Sequence, residues 1–136
     1  MKRLVLLGAC AFLLAACGGG GSLATDEIKA AYTGFFTTKT SLARHVALME
    51  NGAKFKPVIQ SFLGSPLASG ISASVSSVTL QGADTAKVVY SVKVPGFSLS
   101  DQTGYAVRQG GRWRVAYSTL CGLVGLGGKP PTACNA

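Results

Sequence analysis

The spacing of apolar residues changes once along this chain, and that change constrains the fold more than any other feature. Between Ile28 and Leu63, apolar side chains recur three or four residues apart, as on one face of a helix. From Ile71 onwards they alternate with polar side chains, as in strands with one buried face. Helices followed by an antiparallel meander indicate an α+β domain in which the helices cover one face of a curved sheet.

The first predicted helix has both a start signal and a buried face. Thr25 is expected to cap it, with Asp26 and Glu27 in the first turn, where the helix dipole favours acidic side chains. Its apolar residues share one face of the helix, and they are Ile28, Ala31, Tyr32, Phe35 and Phe36. This face is expected to pack against the rest of the domain.

Two further short helices are predicted before the sheet. Thr40 or Ser41 begins the second, and Gly52 is placed as its C-terminal stop. The third covers residues 55–63, with Pro57 in its first turn, where a missing N–H is tolerated. The first half of the domain is therefore expected to be entirely helical.

The second half predicts four strands joined by short turns. The alternation slips at Ser76 and Ser77, which indicates a β-bulge. Turns are expected at residues 81–84, 95–96 and 110–111, where Gly, Pro and Asp concentrate. The expected strands are residues 71–80, 86–94, 105–108 and 113–119.

The N-terminus has the layout of an export signal. Lys2 and Arg3 precede a thirteen-residue apolar run, which as a helix would reach only about 20 Å, against roughly 30 Å for the hydrocarbon core of a bilayer. The run ends in Leu14-Ala15-Ala16-Cys17, which resembles the lipobox of bacterial lipoproteins. That resemblance implies cleavage before Cys17 and a diacylglyceryl group on its thiol. The alternative is an ordinary cleavage site with a coincidental cysteine.

These features predict three segments. Residues 1–16 are a lipoprotein signal peptide, residues 17–24 are the lipidated cysteine and a Gly-rich flexible tether, and residues 25–136 form one α+β domain. The expected location is the outer face of the cytoplasmic membrane or another membrane of the cell envelope. The membrane is therefore the first predicted partner, through the lipid anchor.

The positive charge is scattered along the chain. Loss of Lys2 and Arg3 with the signal peptide takes the formal charge from +8 to +6. Arg108, Arg112 and Arg114 flank the last predicted hairpin, either as a solvated face or as a weak contact for envelope anions. A scattered charge on an exported chain favours solubility and loose attraction to anionic lipid or polymer, so no nucleic-acid partner is expected.

Two cysteines remain for the folded domain once the signal is removed. Cys10 is lost with the signal and Cys17 is the lipid site, which leaves Cys121 and Cys134. In an exported chain they have one possible intramolecular pairing, so we predict a disulfide. A metal site is the less supported alternative, because the only histidine, His45, is far away in sequence.

Five short motifs, spread over residues 26–134, resemble a known family. They are Ile28-x3-Tyr32-x2-Phe35-Phe36, Leu48-Met49-Glu50-Asn51-Gly52-x2-Phe55, Asp84-Thr85-Ala86-x-Val88-x-Tyr90, Gly111-x-Trp113-x-Val115-x3-Thr119-x-Cys121 and Pro130-Pro131-x-Ala133-Cys134. Together they resemble the low-molecular-weight secreted antigens and lipoproteins of mycobacteria and related actinobacteria. The resemblance implies a nuclear-transport-factor-2-like, cystatin-like α+β cone. It implies no activity, because this cone hosts both enzymes and binding modules.

Few residues of the chain could act as catalytic groups if the protein were an enzyme. Enzymes on this cone usually place a histidine and carboxylates in the pocket, so the resemblance leaves His45 or Glu50 for a reaction of isomerase or cyclase type. Asp84 and Asp101 occur in turn-like contexts, and the acids of the first helix are expected to be helix caps. His45 has no partner visible in the sequence, so we expect no catalytic residue, no metal and no cofactor.

The leading hypothesis is based on aromatic residues whose spacing directs them towards the core. Their simplest role is to fill the core. A curved sheet under three helices can also leave an apolar cavity, and the residues expected to line it are Tyr32, Phe36, Tyr90, Trp113 and Tyr117. We therefore expect a non-enzymatic, lipid-anchored envelope protein that binds an apolar small molecule or an envelope protein. A structural or assembly factor without a pocket is the remaining alternative.

Overall fold

A computed structural model describes residues 19–126 and 128–135. In chain order the elements are α1 (Gly19–Phe35), α2 (Leu42–Ala47), α3 (Gly52–Leu63), β1 (Ser72–Leu80), β2 (Thr85–Val94), β3 (Phe97–Gln109), β4 (Arg112–Val115) and α4 (Tyr117–Leu126), with short 3-10 turns at Pro66–Gly70 and Thr132–Asn135. The strands form one antiparallel sheet in the order β1-β2-β3-β4. The predicted α+β class is confirmed, and the architecture is compatible with a cone-like fold.

The sheet contains two irregularities that bend its strands. The β1–β2 register shifts between Val75 and Ser77, which confirms the predicted bulge. The β2–β3 register shifts between Tyr90 and Val92, and Asp101 on β3 has a φ of 52°. Bulges bend a strand and increase its twist. β3 begins at Phe97, well before the predicted start at residue 105.

The predicted buried face of α1 is confirmed. All five of its apolar residues are buried, and they join the core that the inner face of the sheet provides. The sheet contributes Ala86, Val88, Tyr90, Val92, Ala106, Trp113 and Val115. One continuous core therefore lies between α1 and the sheet.

The predicted start of α1 at Thr25 is wrong, because the helix begins at Gly19. Residues 19–24, predicted as flexible tether, are helical. Ala24 packs against the core, and a helix that is anchored there can extend backwards, because each added residue gains a hydrogen bond once the helix is nucleated. Asp26 and Glu27 are therefore in the middle of α1 and are not caps. The signal peptide and Cys17 lie outside the described residues.

The junction between α2 and α3 also differs from the prediction. Ser41 caps α2, since its hydroxyl accepts a hydrogen bond from the Arg44 N–H at 3.2 Å. The helix ends at Ala47, and Gly52, predicted as its stop, is the first residue of α3. The chain turns at Asn51, which has a φ of 52° in the left-handed region.

Close packing explains the glycine at the start of α3. A Cβ on Gly52 would collide with the backbone carbonyl of Val46. Because α3 begins there, Pro57 lies in the second turn of the helix, and the predicted place in the first turn is wrong. The segment between the two helices pairs with β4, where the Glu50 N–H donates to the Val115 carbonyl at 2.9 Å.

The last predicted strand ends early and a helix follows it. β4 ends at Val115, so Tyr117 and Thr119, predicted to be in the strand, are in the first turn of α4. A carboxylate oxygen of Glu50 accepts the Tyr117 N–H at 3.1 Å, which satisfies a donor at the start of the helix. Residues 122–126, in the glycine-rich segment between Cys121 and Cys134, are thus helical.

Candidate functional site

An apolar cavity of about 300 Å³ lies between the helices and one end of the sheet. Eleven of its twelve lining residues are apolar, and His45 is the exception. The helices before the sheet contribute Phe35, Phe36, His45, Ile59 and Phe62. The sheet and the residue before it contribute Ile71, Val92, Val94 and Leu99, and α4 contributes Leu120, Leu123 and Val124.

Secondary structure directs these side chains to the cavity. On β2, Val92 and Val94 face inwards on either side of the exposed Lys93, as the alternation of a strand requires. Phe35 and Phe36 are at the end of the buried face of α1. The cavity is therefore at the C-terminal end of α1, about 24 Å along the helix from its first residue.

His45 is on the cavity wall with both ring nitrogens engaged. Nδ1 is 2.8 Å from the Ser41 carbonyl oxygen and Nε2 is 2.8 Å from the Thr37 carbonyl oxygen. A carbonyl oxygen only accepts hydrogen bonds, so both ring nitrogens are directed at acceptors of the protein backbone. The side chain is 1 % exposed. A ligand in the cavity would meet ring carbon atoms and no available nitrogen.

Glu50 is not brought to the cavity with His45. It is absent from the lining described above, and its carboxylate accepts the Tyr117 N–H at the start of α4. Glu50 is half-buried because α4 begins against it. The two candidate catalytic residues therefore do not share a pocket.

Of the five aromatic residues predicted to line a cavity, the structure brings Phe36 to it and places four elsewhere. Tyr32 and Tyr90 are fully buried in the core, with ring centroids 5.0 Å apart. Trp113 lines a separate groove beside α1. Tyr117 stacks on Phe55 at a centroid distance of 6.0 Å, because the first turn of α4 directs it away from the cavity.

A buried hydrogen-bond network joins α1, β3 and α4. The Tyr32 hydroxyl donates to the Tyr105 carbonyl at 2.8 Å and is 3.2 Å from the Thr119 hydroxyl. The Thr119 hydroxyl accepts the Tyr105 N–H at 2.9 Å. Gly104 leaves room for this network, since a Cβ there would be 2.5 Å from the Tyr32 hydroxyl oxygen.

Burial changes the acidity of the two core tyrosines. Desolvation raises the pKa of Tyr32 well above its usual value, although the hydrogen bond from Thr119 partly opposes the rise. Desolvation also raises the pKa of Tyr90, to about 12. Both phenols are therefore neutral structural groups at physiological pH.

The predicted disulfide is confirmed. Cys121 and Cys134 are bonded, with their Cα atoms 5.7 Å apart, and the bond holds the last 3-10 turn against α4. In the described ranges, no three His, Cys, Asp or Glu side chains come together as a metal site. Within the same part of the chain, no helix combines the length and apolar character needed to cross a membrane.

The sequence did not identify most of the cavity lining. Leu123 and Val124 lie among glycines, which predicted a loop, and Leu99 falls before the predicted third strand. Ile59 and Phe62 fall in the predicted third helix, but they are not among the residues predicted to line a cavity. The only available signal was the excess of large apolar side chains between the two cysteines.

The fold and the site define an α+β domain with an apolar cavity and a disulfide-bonded C-terminal helix. Residues 22–131 match the family model described as low molecular weight antigen MTB12, C-terminal domain. Because the match covers most of the chain, the protein belongs to this family, which confirms the predicted likeness to low-molecular-weight antigens. Membership is consistent with an exported, antigen-like protein. The comparison with curated proteins gives no match.

Proposed function

We propose that this protein is a non-enzymatic binding module for an apolar small molecule, held at the cell envelope by a lipid on Cys17. The observation that carries the binding role is the cavity of about 300 Å³, with eleven apolar residues in its lining. Ligand pockets begin at about this size and are mostly apolar. An apolar cavity of roughly 150 Å³ already binds benzene.

The chemistry of the wall favours a hydrocarbon group as the part of the ligand that enters. Both nitrogens of His45 already contact backbone carbonyls. A polar group placed beside them would lose its hydrogen bonds to water without gaining new ones, at a cost of about 1–3 kcal/mol. The ligand is therefore a small apolar molecule or the apolar end of a larger one.

The enzymatic alternative receives less support from the same contacts. Both ring nitrogens of His45 contact backbone carbonyl groups, and Glu50 accepts a helix N–H outside the cavity. General acid–base catalysis needs a group within hydrogen-bond reach of the substrate. The proposal therefore assigns His45 and Glu50 structural roles.

Titration with the apolar fluorescent probe N-phenyl-1-naphthylamine tests the binding role. We expect saturable binding that Val92→Phe weakens at least tenfold, because the larger ring fills the cavity. Val89→Phe is the matched control, since Val89 lies on the same strand outside the cavity lining. Thermal unfolding checks that both variants fold, and Val94→Phe replaces Val92→Phe if that variant does not. Equal affinities in wild type and both cavity variants would contradict the proposal.

Membrane fractionation tests the anchor. Stable anchoring needs two or more acyl chains, at about 0.8 kcal/mol for each buried CH₂ group, so Cys17→Ser is expected to abolish lipoprotein processing and membrane retention by the lipid. Cys10→Ser makes the same substitution within the signal peptide and is expected to leave both unchanged. Globomycin, which blocks lipoprotein processing, should reproduce the Cys17→Ser processing defect. Normal processing and retention of Cys17→Ser would refute the anchor.

A further inference from the structure

A second concave feature lies between α1, α2 and β4, and we call it the arginine groove. It has a volume of about 360 Å³. Its charged and aromatic lining consists of Glu27, Arg44, Arg112, Trp113 and Arg114. The sequence grouped Arg112 and Arg114 with Arg108, whereas the fold replaces Arg108 with Arg44 from α2.

The positive charge of the groove is only partly compensated. Three guanidinium groups and one carboxylate give a net charge of +2. Arg112 and Glu27 are 3.9 Å apart, and the Arg112 side chain is 78 % exposed, so this ion pair contributes little. A carboxylate oxygen of Glu27 also accepts a hydrogen bond from the backbone N–H of Trp113 at 3.2 Å, which further occupies that single acid.

Among the residues that the structure describes, most of the guanidinium donors in the groove have no acceptor. Arg114 uses its Nε to donate to the Gln109 carbonyl at 3.3 Å. Within residues 19–126 and 128–135, the Arg44 side chain forms no ion pair or hydrogen bond. Guanidinium groups bind phosphate through paired N–H donors, so the groove offers what a phosphate group requires.

The position of the groove along α1 indicates where the phosphate comes from. Glu27 is in the middle of α1, about 12 Å along the helix from Gly19, whereas the cavity is at the C-terminal end, about 24 Å from Gly19. An anchor at Cys17 would bring the N-terminal end of α1 closest to the membrane, so the groove would be nearer to the membrane than the cavity. Attraction to an anionic surface extends over about 10 Å at 0.1 M ionic strength.

We propose that the arginine groove binds the phosphate group of an anionic lipid headgroup in the membrane that holds the anchor. Arg44, Arg112 and Arg114 supply the donors. This inference rests on the anchor of the proposed function and is independent of the apolar cavity. It gives the domain two separate sites, with the groove nearer to the membrane than the cavity.

Trp113 is the only tryptophan of the chain and lines the groove, so its fluorescence reports binding without a label. The lipidated protein is reconstituted into phosphatidylcholine vesicles with increasing phosphatidylglycerol. We expect a saturable change in Trp113 emission that 0.5 M NaCl reverses. Arg44→Gln and Arg114→Gln should each need about tenfold more phosphatidylglycerol, the loss expected for one charge-assisted hydrogen bond. Arg108→Gln removes the same charge outside the groove and should match wild type.

Every other outcome overturns the proposal. An equal loss in Arg108→Gln would mean diffuse charge attraction and no site. A response to inorganic phosphate in pure phosphatidylcholine vesicles, without a response to phosphatidylglycerol, would assign the groove to a soluble anion. No change in Trp113 emission with either phosphatidylglycerol or inorganic phosphate would exclude phosphate binding. The intact mass of the preparation reports the lipid on Cys17, and the probe titration reports the cavity, so failures of the anchor or the cavity are recognised separately.

Discussion

His45 and Tyr32 show how single polar residues are accommodated beside an apolar site. Each is buried, and each contacts backbone carbonyl groups from loops or strands outside its own helical turn. A buried polar group without a partner would cost about 1–3 kcal/mol, so these contacts explain why the core tolerates both residues. The sequence predicted a structural histidine, but it could not identify the partner, because Thr37 acts through its backbone.

Tyr90 gives the protein a predictable response to alkaline pH. Its pKa is about 12 in the folded protein and about 10 in an unfolded chain. The folded state therefore retains the proton over a range in which the unfolded state loses it. The contribution of the neutral Tyr90 phenol to the free energy of unfolding is complete below about pH 10. It is lost as the pH rises towards 12.

We therefore expect the stability of Tyr90→Phe to fall less steeply above pH 10 than that of wild type. Urea midpoints measured between pH 8 and pH 11 check this expectation. Tyr105→Phe is the control, because it removes a hydroxyl from an exposed ring. Parallel curves for Tyr90→Phe and wild type would show that this phenol does not resist ionisation in the folded protein.

Among the secondary-structure elements, α4 is the one that sequence periodicity failed to predict. Gly122 and Gly125 favour the unfolded chain, and alternation before them suggested a continuing strand. The helix forms because tertiary contacts fix it: Glu50 accepts an N–H at its start and Cys121 is bonded to Cys134. Such contacts join distant parts of the chain and leave no local pattern.

The disulfide is expected to maintain both the stability of the domain and the cavity wall that α4 forms. For a loop of this length the chain-entropy model gives about 3 kcal/mol, so the Cys121→Ser, Cys134→Ser double variant should unfold at correspondingly lower urea. Binding of the apolar probe should weaken as well, because Leu120, Leu123 and Val124 line the cavity. Reduced wild-type protein is the matched comparison. A reduced form as stable as the oxidised form would remove the disulfide from this account.

For the whole molecule, the sequence predicted the fold class and the disulfide better than the ends of the helices and strands. The change of period at Ile71 predicted helices packed on a meander, and cysteine counting predicted the bond. The buried face of α1 was also correct. These features depend on local spacing or on a simple count, which a sequence states directly.

The remaining features depend on how distant segments meet. The cavity combines side chains from the helices before the sheet, the sheet itself and α4, and of the five aromatic residues predicted to line it Phe36 alone does. The arginine groove likewise joins Arg44 to two residues of β4. Neither set has a spacing that a single element would produce, so both required the structure.

The central claim is that the cavity holds an apolar molecule, and native mass spectrometry of protein purified from its own membrane tests it most directly. The account predicts a non-covalent complex, heavier than the processed chain by the mass of one small apolar molecule. The same complex should persist in Val89→Phe and be lost in Val92→Phe, which fills the cavity. A single unliganded mass in wild type, or an equally occupied Val92→Phe, would contradict the claim.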